Sequence, residues 1–190
     1  AANVHYYWAA YAVNSAGAAL SSPERDFWTL ANTPFAPTVN NPTASSLDVT
    51  LATGDGNSPA TTYAIQETTT GKYVQSSDGS LGVSADWQTA ATWGTRTVTG
   101  LSAGTTYTFK VKARNDLNTE TGFGPTASGA TLPAAVFLAF GIPSYSGAID
   151  NVAKTVTLRV PYGTDLAGLA PSFTPSSGVC VPDSGVAPSP

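Results

Sequence analysis

Apolar and polar residues alternate one by one in short runs along much of the chain, and turn-forming residues separate the runs. A period of two places apolar side chains on one face of a strand, whereas a helix would spread them around its cylinder. Thr106–Arg114 (TYTFKVKAR) is the clearest run: Tyr107, Phe109, Val111 and Ala113 are predicted to point inward, and Thr108, Lys110, Lys112 and Arg114 to face water. Ser46–Leu51 sets Leu47, Val49 and Leu51 on one face, and Thr62–Glu67 does the same for Tyr63 and Ile65. Arg96–Thr99 runs into Gly100-Leu101. Short alternating strands broken by turns predict an all-β protein built of antiparallel sandwiches.

Proline marks the boundaries. Pro34-Phe-Ala-Pro37 opens a central unit and Thr131-Leu-Pro133 closes it. The interval of about 100 residues is the size of one sandwich domain. An internal repeat follows. Tyr6–Asn14 (YYWAAYAVN) aligns with Tyr107–Asn115 (YTFKVKARN), matching Tyr6 to Tyr107, Trp8 to Phe109, Ala10 to Val111, Ala12 to Ala113 and Asn14 to Asn115. Thr29-Leu30 likewise aligns with Thr131-Leu132. Residues 1–33 therefore read as the last two strands of a unit, 34–133 as a complete domain and 134–190 as a partial one. In the third segment Ala135–Phe140 is an apolar run, Thr155–Val160 alternates, and Ser172–Thr174 and Gly178–Val181 are candidate short strands.

Composition narrows the function classes. The chain has 190 residues, 11% charged and 42% hydrophobic, with 27 Thr and 19 Ser filling the polar positions. Disorder through high charge is excluded, and Thr-rich outer strand faces fit. The net charge is -4, and the 8 basic residues form no dense block, which argues against a nucleic-acid partner. No apolar run approaches the length of a membrane span. A single cysteine, Cys180, excludes an internal disulfide. Few lysines among many Thr, Ser, Gly and Asn point to an extracellular or cell-surface location. The absence of Met and of a basic-then-apolar leader suggests a mature form or an excised piece.

Leu101-Ser-Ala-Gly-Thr-Thr-Tyr107, followed by Thr108–Asn115, resembles the E–F turn, tyrosine corner and F strand of a fibronectin type III domain. The resemblance covers residues 34–133. It implies strands A, B and E facing G, F, C and C′, with Tyr107 as the corner tyrosine, Leu101 at the turn and Tyr63 as the C-strand aromatic. The family's B-strand tryptophan position is occupied by Leu51, a departure. Gly71–Gly94 is longer than the family's usual C′–E region and holds Tyr73, Trp87 and Trp93, which would supply the missing bulk. Residues 1–33 resemble the F and G strands of a second such domain, with Tyr6 as its corner tyrosine. Residues 134–190 resemble the bacterial immunoglobulin-like modules of multidomain surface proteins, through Gly147-Ala-Ile-Asp150, Val156–Val160 and Pro161-Tyr-Gly-Thr-Asp165. The fold class is thus tandem immunoglobulin-like and fibronectin type III sandwiches with incomplete terminal units.

Candidate chemistry is sparse. His5 is the only histidine, so neither a His/Cys metal motif nor a Ser/His/Asp set can be assembled; His5 reads as a strand-end residue. Cys180, between two valines, reads as a buried inert thiol, with an intermolecular disulfide as the alternative if that end is exposed. Glu67 and Asp86 as a carboxylate pair have strand-face solvation as the simpler alternative. Asp55-Gly-Asn57 and Asp78-Gly79 read as turns, the former with only the start of a calcium loop. Asn115–Gly122 is the F–G loop; Asn115 and Asp116 there, with Tyr7 and Tyr11 on the first strand, are the candidate interaction residues. No Arg-Gly-Asp and no N-glycosylation acceptor occur. Trp87 and Trp93 read as core, with a sugar-binding surface as the alternative if both lie exposed on one flat face.

These readings converge on a non-catalytic structural, spacer or adhesive segment of a bacterial extracellular multidomain protein. One alternative is a carbohydrate-binding accessory module of a secreted polysaccharide-degrading enzyme. The other is a subunit of an extracellular filament assembled by strand sharing. No cofactor is expected. The expected partners are neighbouring domains or another copy of the chain, with a surface protein or polysaccharide as further candidates.

Overall fold

The computed structural model describes residues 2–142, 145–164 and 172–176. Among them the chain is almost wholly β and divides into two compact units, Ala1–Pro133 and Ala134–Pro190.

The first unit opens with a long hairpin. Strands β1 (His5–Trp8) and β2 (Tyr11–Asn14) run out, and β3 (Gly17–Ser21) and β4 (Arg25–Trp28) return, with β1 on β4 and β2 on β3. The ladder breaks in the middle, where Ala10 and Ser22 bond to each other and the register shifts.

A β-sandwich follows. Strands β5 (Thr38–Asn40), β6 (Leu47–Thr50) and β11 (Thr95–Val98) form one sheet in the order β11-β6-β5. The facing sheet runs β13-β12-β7-β8-β9, from β7 (Thr62–Glu67), β8 (Tyr73–Val74), β9 (Leu81–Gly82), β12 (Thr106–Arg114) and β13 (Ala127–Ala130). A short β10 (Gln88–Thr89) also pairs with β7 and leads into the single helical turn α1 (Ala90–Trp93). Thr89 caps α1 by accepting from the Thr92 amide.

The inward rows meet between the sheets as alternation requires. Leu47, Val49, Ile65, Val98, Phe109, Val111 and Ala113 are buried in one core, joined by Tyr63, Leu101 and Trp93. Trp93 is 1% exposed, and its indole N–H donates to the Tyr63 carbonyl at 2.9 Å. Gly79 (φ 74°) can only be glycine, because a Cβ there would lie 1.8 Å from the Thr97 carbonyl oxygen. That close approach ties the long excursion between β8 and β11 to the opposite sheet.

One expectation needs correction. The row Lys110, Lys112 and Arg114 does not simply face water: all three are half-buried beneath aromatic rings. Ala64, on the same outer face, is fully buried. Alternation assigns a side chain to a face but does not say which other segment will cover that face.

The second unit shows one antiparallel sheet among its described residues. Its order is β16-β15-β14-β17, from β14 (Phe137–Ile142), β15 (Tyr145–Asp150), β16 (Thr155–Leu158) and β17 (Ser172–Pro175). Asp150 closes the β15–β16 turn by accepting from the Val152 and Ala153 amides. Phe137 and Phe173 pack edge to face across β14 and β17. Cys180 and the Gly178–Val181 strand lie outside the described residues.

Candidate functional site

Two features of the first unit go beyond a packed core. One is the outer face of the larger sheet. In β12 the residues of the outer row stand two apart, so Lys110, Lys112 and Arg114 line up along one strand. The Gln88↔Tyr63 register sets Trp87 beside Ala64, and the Gln66↔Tyr73 pair brings Tyr73 to the same face. Phe123 comes from the loop before β13, held down where the Gly124 amide donates to the Val111 carbonyl.

These rings and cations interlock. Lys110 Nζ lies 4.2 Å from the Phe123 ring centre and the Arg114 guanidinium 4.4 Å from that of Trp87. Lys112 sits between three rings, 5.5 Å from Tyr73, 5.1 Å from Trp87 and 5.4 Å from Phe123. Glu120 closes over Lys112 with an ion pair of 2.6 Å. Each such cation–ring contact contributes about 0.5–2 kcal/mol, more as water is excluded. Among the described residues, Lys110 and Arg114 have no carboxylate partner.

The other feature is the joint between hairpin and sandwich. Asn3 is 2% exposed; its side-chain amide donates to Thr61 Oγ1 at 3.0 Å, and its carbonyl oxygen accepts from the Asp116 amide at 3.0 Å. Asn32 and Asn57 bond reciprocally, backbone to side chain, at 2.7 and 3.0 Å. Asn115 donates to the Thr29 carbonyl and accepts from the amides of Leu117 and Thr119. Behind them Tyr63 donates to Asp55 at 2.9 Å, and burial together with that bond pushes its phenol up to about 12.

The structure sorts the residues picked out from sequence. Tyr107 accepts a 2.8 Å bond from the Ser102 amide, and Leu101 is buried beside it with its own amide on Ser45. The Tyr6 ring stacks on Phe27, its cross-strand partner, with ring centres 5.4 Å apart. Tyr7 and Tyr11 are exposed, and Tyr7 bonds His5, which in turn meets Asp26 at 2.6 Å and stacks on Trp28.

Asn115 is corrected from a loop-surface residue to a buried one, 3% exposed, since its side chain shapes the loop from within. Asp116 remains exposed. Trp87 and Trp93 do not share a flat face: Trp93 is core and Trp87 is half-buried on the outer face. Glu67 and Asp86 form no pair: Glu67 caps the turn at Thr69 and Thr70, and Asp86 accepts from the Ser76 amide and the Gln88 side chain. Asp55 is occupied by Asn57 and Tyr63, and no acidic or His/Cys cluster able to hold a metal occurs among the described residues. Among the described residues no helix is long and apolar enough to cross a membrane. The Phe123 and Lys112 contacts were missed from sequence, because nothing in the order of residues brings the F–G loop back over the strand it leaves.

The fibronectin type III family model matches residues 32–125. Those residues form a fibronectin type III domain. Its two sheets are the smaller β11-β6-β5 and the larger β13-β12-β7-β8-β9. Leu51 and Trp93, the latter from α1, both lie in the buried core of this domain.

Residues 137–188 match the family model described as SGBP, N-terminal. Both are non-catalytic module types. No curated protein matches the chain. Among solved structures, the human fibronectin type III domain containing protein 3 domain is 18% identical at a TM-score of 0.39, covering 54% of this chain and 86% of that one. The Yersinia enterocolitica family 28 exopolygalacturonase is 15% identical at 0.40, covering 54% and 21%. The chicken CNTN1 FN1–FN3 fragment is 16% identical at 0.39, covering 67% and 42%. The chain therefore spans about a fifth of the polygalacturonase.

Proposed function

We propose that this chain is a non-catalytic spacer and glycan-facing accessory segment of a bacterial extracellular surface protein. The observation that carries the reading is the joint at the base of the hairpin. A spacer must hold successive pieces at a fixed angle, and a flexible linker would not. Here the connection is made by side-chain amides that donate and accept in both directions, with Asn3 buried among them. Buried amides cost free energy unless paired, so the bonded arrangement is favoured over alternatives that leave them unpaired.

The SGBP match supports the surface and glycan part of the reading, since SGBP modules are bacterial glycan-binding surface modules. The outer aromatic and cationic face supports a contact role for the fibronectin type III domain itself.

Residual dipolar couplings test the spacer. One alignment tensor should fit amides of β1, β4, β7 and β12 together. In Asn3→Ala the hairpin couplings should shrink or require a tensor of their own. Independent tensors in the unsubstituted protein would overturn the proposal.

A further inference from the structure

We infer that the outer face of β12, framed by Tyr73, Trp87 and Phe123, binds an acidic polysaccharide whose carboxylates meet Lys110 and Arg114. This rests on the glycan-facing reading above and names its ligand class.

The charge distribution carries it. The chain is acidic, at -4, yet three of its 8 basic residues stand on one face of one nine-residue strand. Neighbouring like charges repel, and among the described residues the one carboxylate that pairs with them, Glu120, neutralises only Lys112 in the middle. Lys110 and Arg114 remain uncompensated on either side, about 13 Å apart at the rise of a strand. One small anion would reach only one of them; a polymer carrying carboxylates at intervals reaches both. Sitting over a ring does not exhaust either cation. Lys110 keeps its ammonium donors, and Arg114 uses Nε on Thr62 while the rest of its fork stays available.

The rings supply the rest of a sugar site. Phe123 is 36% exposed, and Trp87 and Tyr73 are half-buried, so each holds a fixed orientation and still presents surface. Rigid aromatic surfaces with a few placed polar groups are how small ligands and sugars are held. Gln66, Thr108 and Ser128 on the same face offer donors and acceptors to hydroxyl groups. Single-stranded nucleic acid also stacks on aromatics beside cations. The net negative charge of the chain works against a ligand as densely charged as a phosphate backbone.

Affinity electrophoresis of the full 190-residue chain tests this, in gels containing pectate, alginate or hyaluronate, beside fully methyl-esterified pectin and poly(dT). At least one uronate polymer should retard the protein, added salt should weaken the effect, and the esterified pectin should not reproduce it. Lys110→Gln combined with Arg114→Gln should weaken retardation about tenfold, the loss expected for two charge contacts. Ser128→Glu adds a carboxylate at an exposed position of the face without removing a ring contact, and it should weaken retardation as well. That covers the case in which the double variant fails to fold.

No retardation by any uronate polymer overturns the inference. Equal retardation by the esterified pectin overturns it while leaving the glycan-facing reading standing. Equal retardation by poly(dT) overturns it in favour of nucleic acid. A folded double variant that binds like the original, or an unaffected Ser128→Glu, removes the site from this face.

Discussion

Glu67 carries a carboxylate into a fully buried position at the end of β7. Burial alone would raise its pKa. The Thr70 hydroxyl and the amides of Thr70 and Thr69, all within 2.6–2.8 Å, outweigh that and hold the carboxyl below its ordinary range. A depressed native pKa means that this stabilisation is fully present above the unfolded value of about 4.3 and is lost as pH falls below it toward the native value. Glu67→Gln should therefore destabilise the domain by about 1–3 kcal/mol at pH 7, with a smaller difference at pH 3, as read from denaturant midpoints. An equal penalty at both pH values would show that charge is not involved. Tyr107→Phe is a simpler deletion. It removes the acceptor of the Ser102 amide and should cost about 0.5–1.5 kcal/mol. A denaturation midpoint identical to the unsubstituted protein would count against the tyrosine's structural role.

The hairpin of β1–β4 poses the question of the element. Tyr7, Trp8, Tyr11, Val13 and Phe27 are all more than half exposed. In the repeated segment of the sandwich, β12 has β13 on one side and β7 on the other. In the hairpin, β1 pairs with β4 alone among the described strands. An isolated hairpin is marginal in water, and an unpaired apolar edge invites another strand. The polar joint secures the base of the hairpin but leaves its tip and outer edge uncovered. Association that grows with concentration is the expected consequence, and sedimentation velocity over a wide concentration range reads it. Tyr11→Lys, which places a charge on the exposed strand, should suppress it. A protein that stays monomeric throughout, with fast amide exchange along β1 and β2, would refute the idea of a strand-accepting edge.

At the scale of the whole molecule, the sandwich has its own two-sided core and shares only Ala31 of that core with the hairpin segment. Residues 34–133 are therefore expected to fold when expressed alone, with dispersed amide spectra and one cooperative transition. The cut removes Asn32 and the partners of Asn57 and Asn115, so a modest loss of stability relative to the full chain is expected. Collapse of the spectrum would place the domain boundary elsewhere and make the hairpin part of the folding unit.

Alternation in TYTFKVKAR, SLDVTL and TYAIQE was enough to specify the inner faces of both sheets, because a strand's period of two is a local property. The Leu101–Tyr107 motif was likewise readable, since its hydrogen bond spans only five residues. The sequence also singled out Gly71–Gly94 as an insertion rich in aromatic residues. Which of its tryptophans would enter the core was decided by tertiary structure. The α1 turn swings Trp93 inward to the Tyr63 carbonyl, while pairing of β10 with β7 leaves Trp87 outside. The same holds for Lys110, Lys112 and Arg114. Their face is written into the strand, but the rings above them arrive from segments up to 33 residues away from the strand. Asn115, a loop residue by sequence, was buried by the return of the chain at Thr29. Contacts between positions so far apart depend on the packing of whole elements, and no local pattern encodes them.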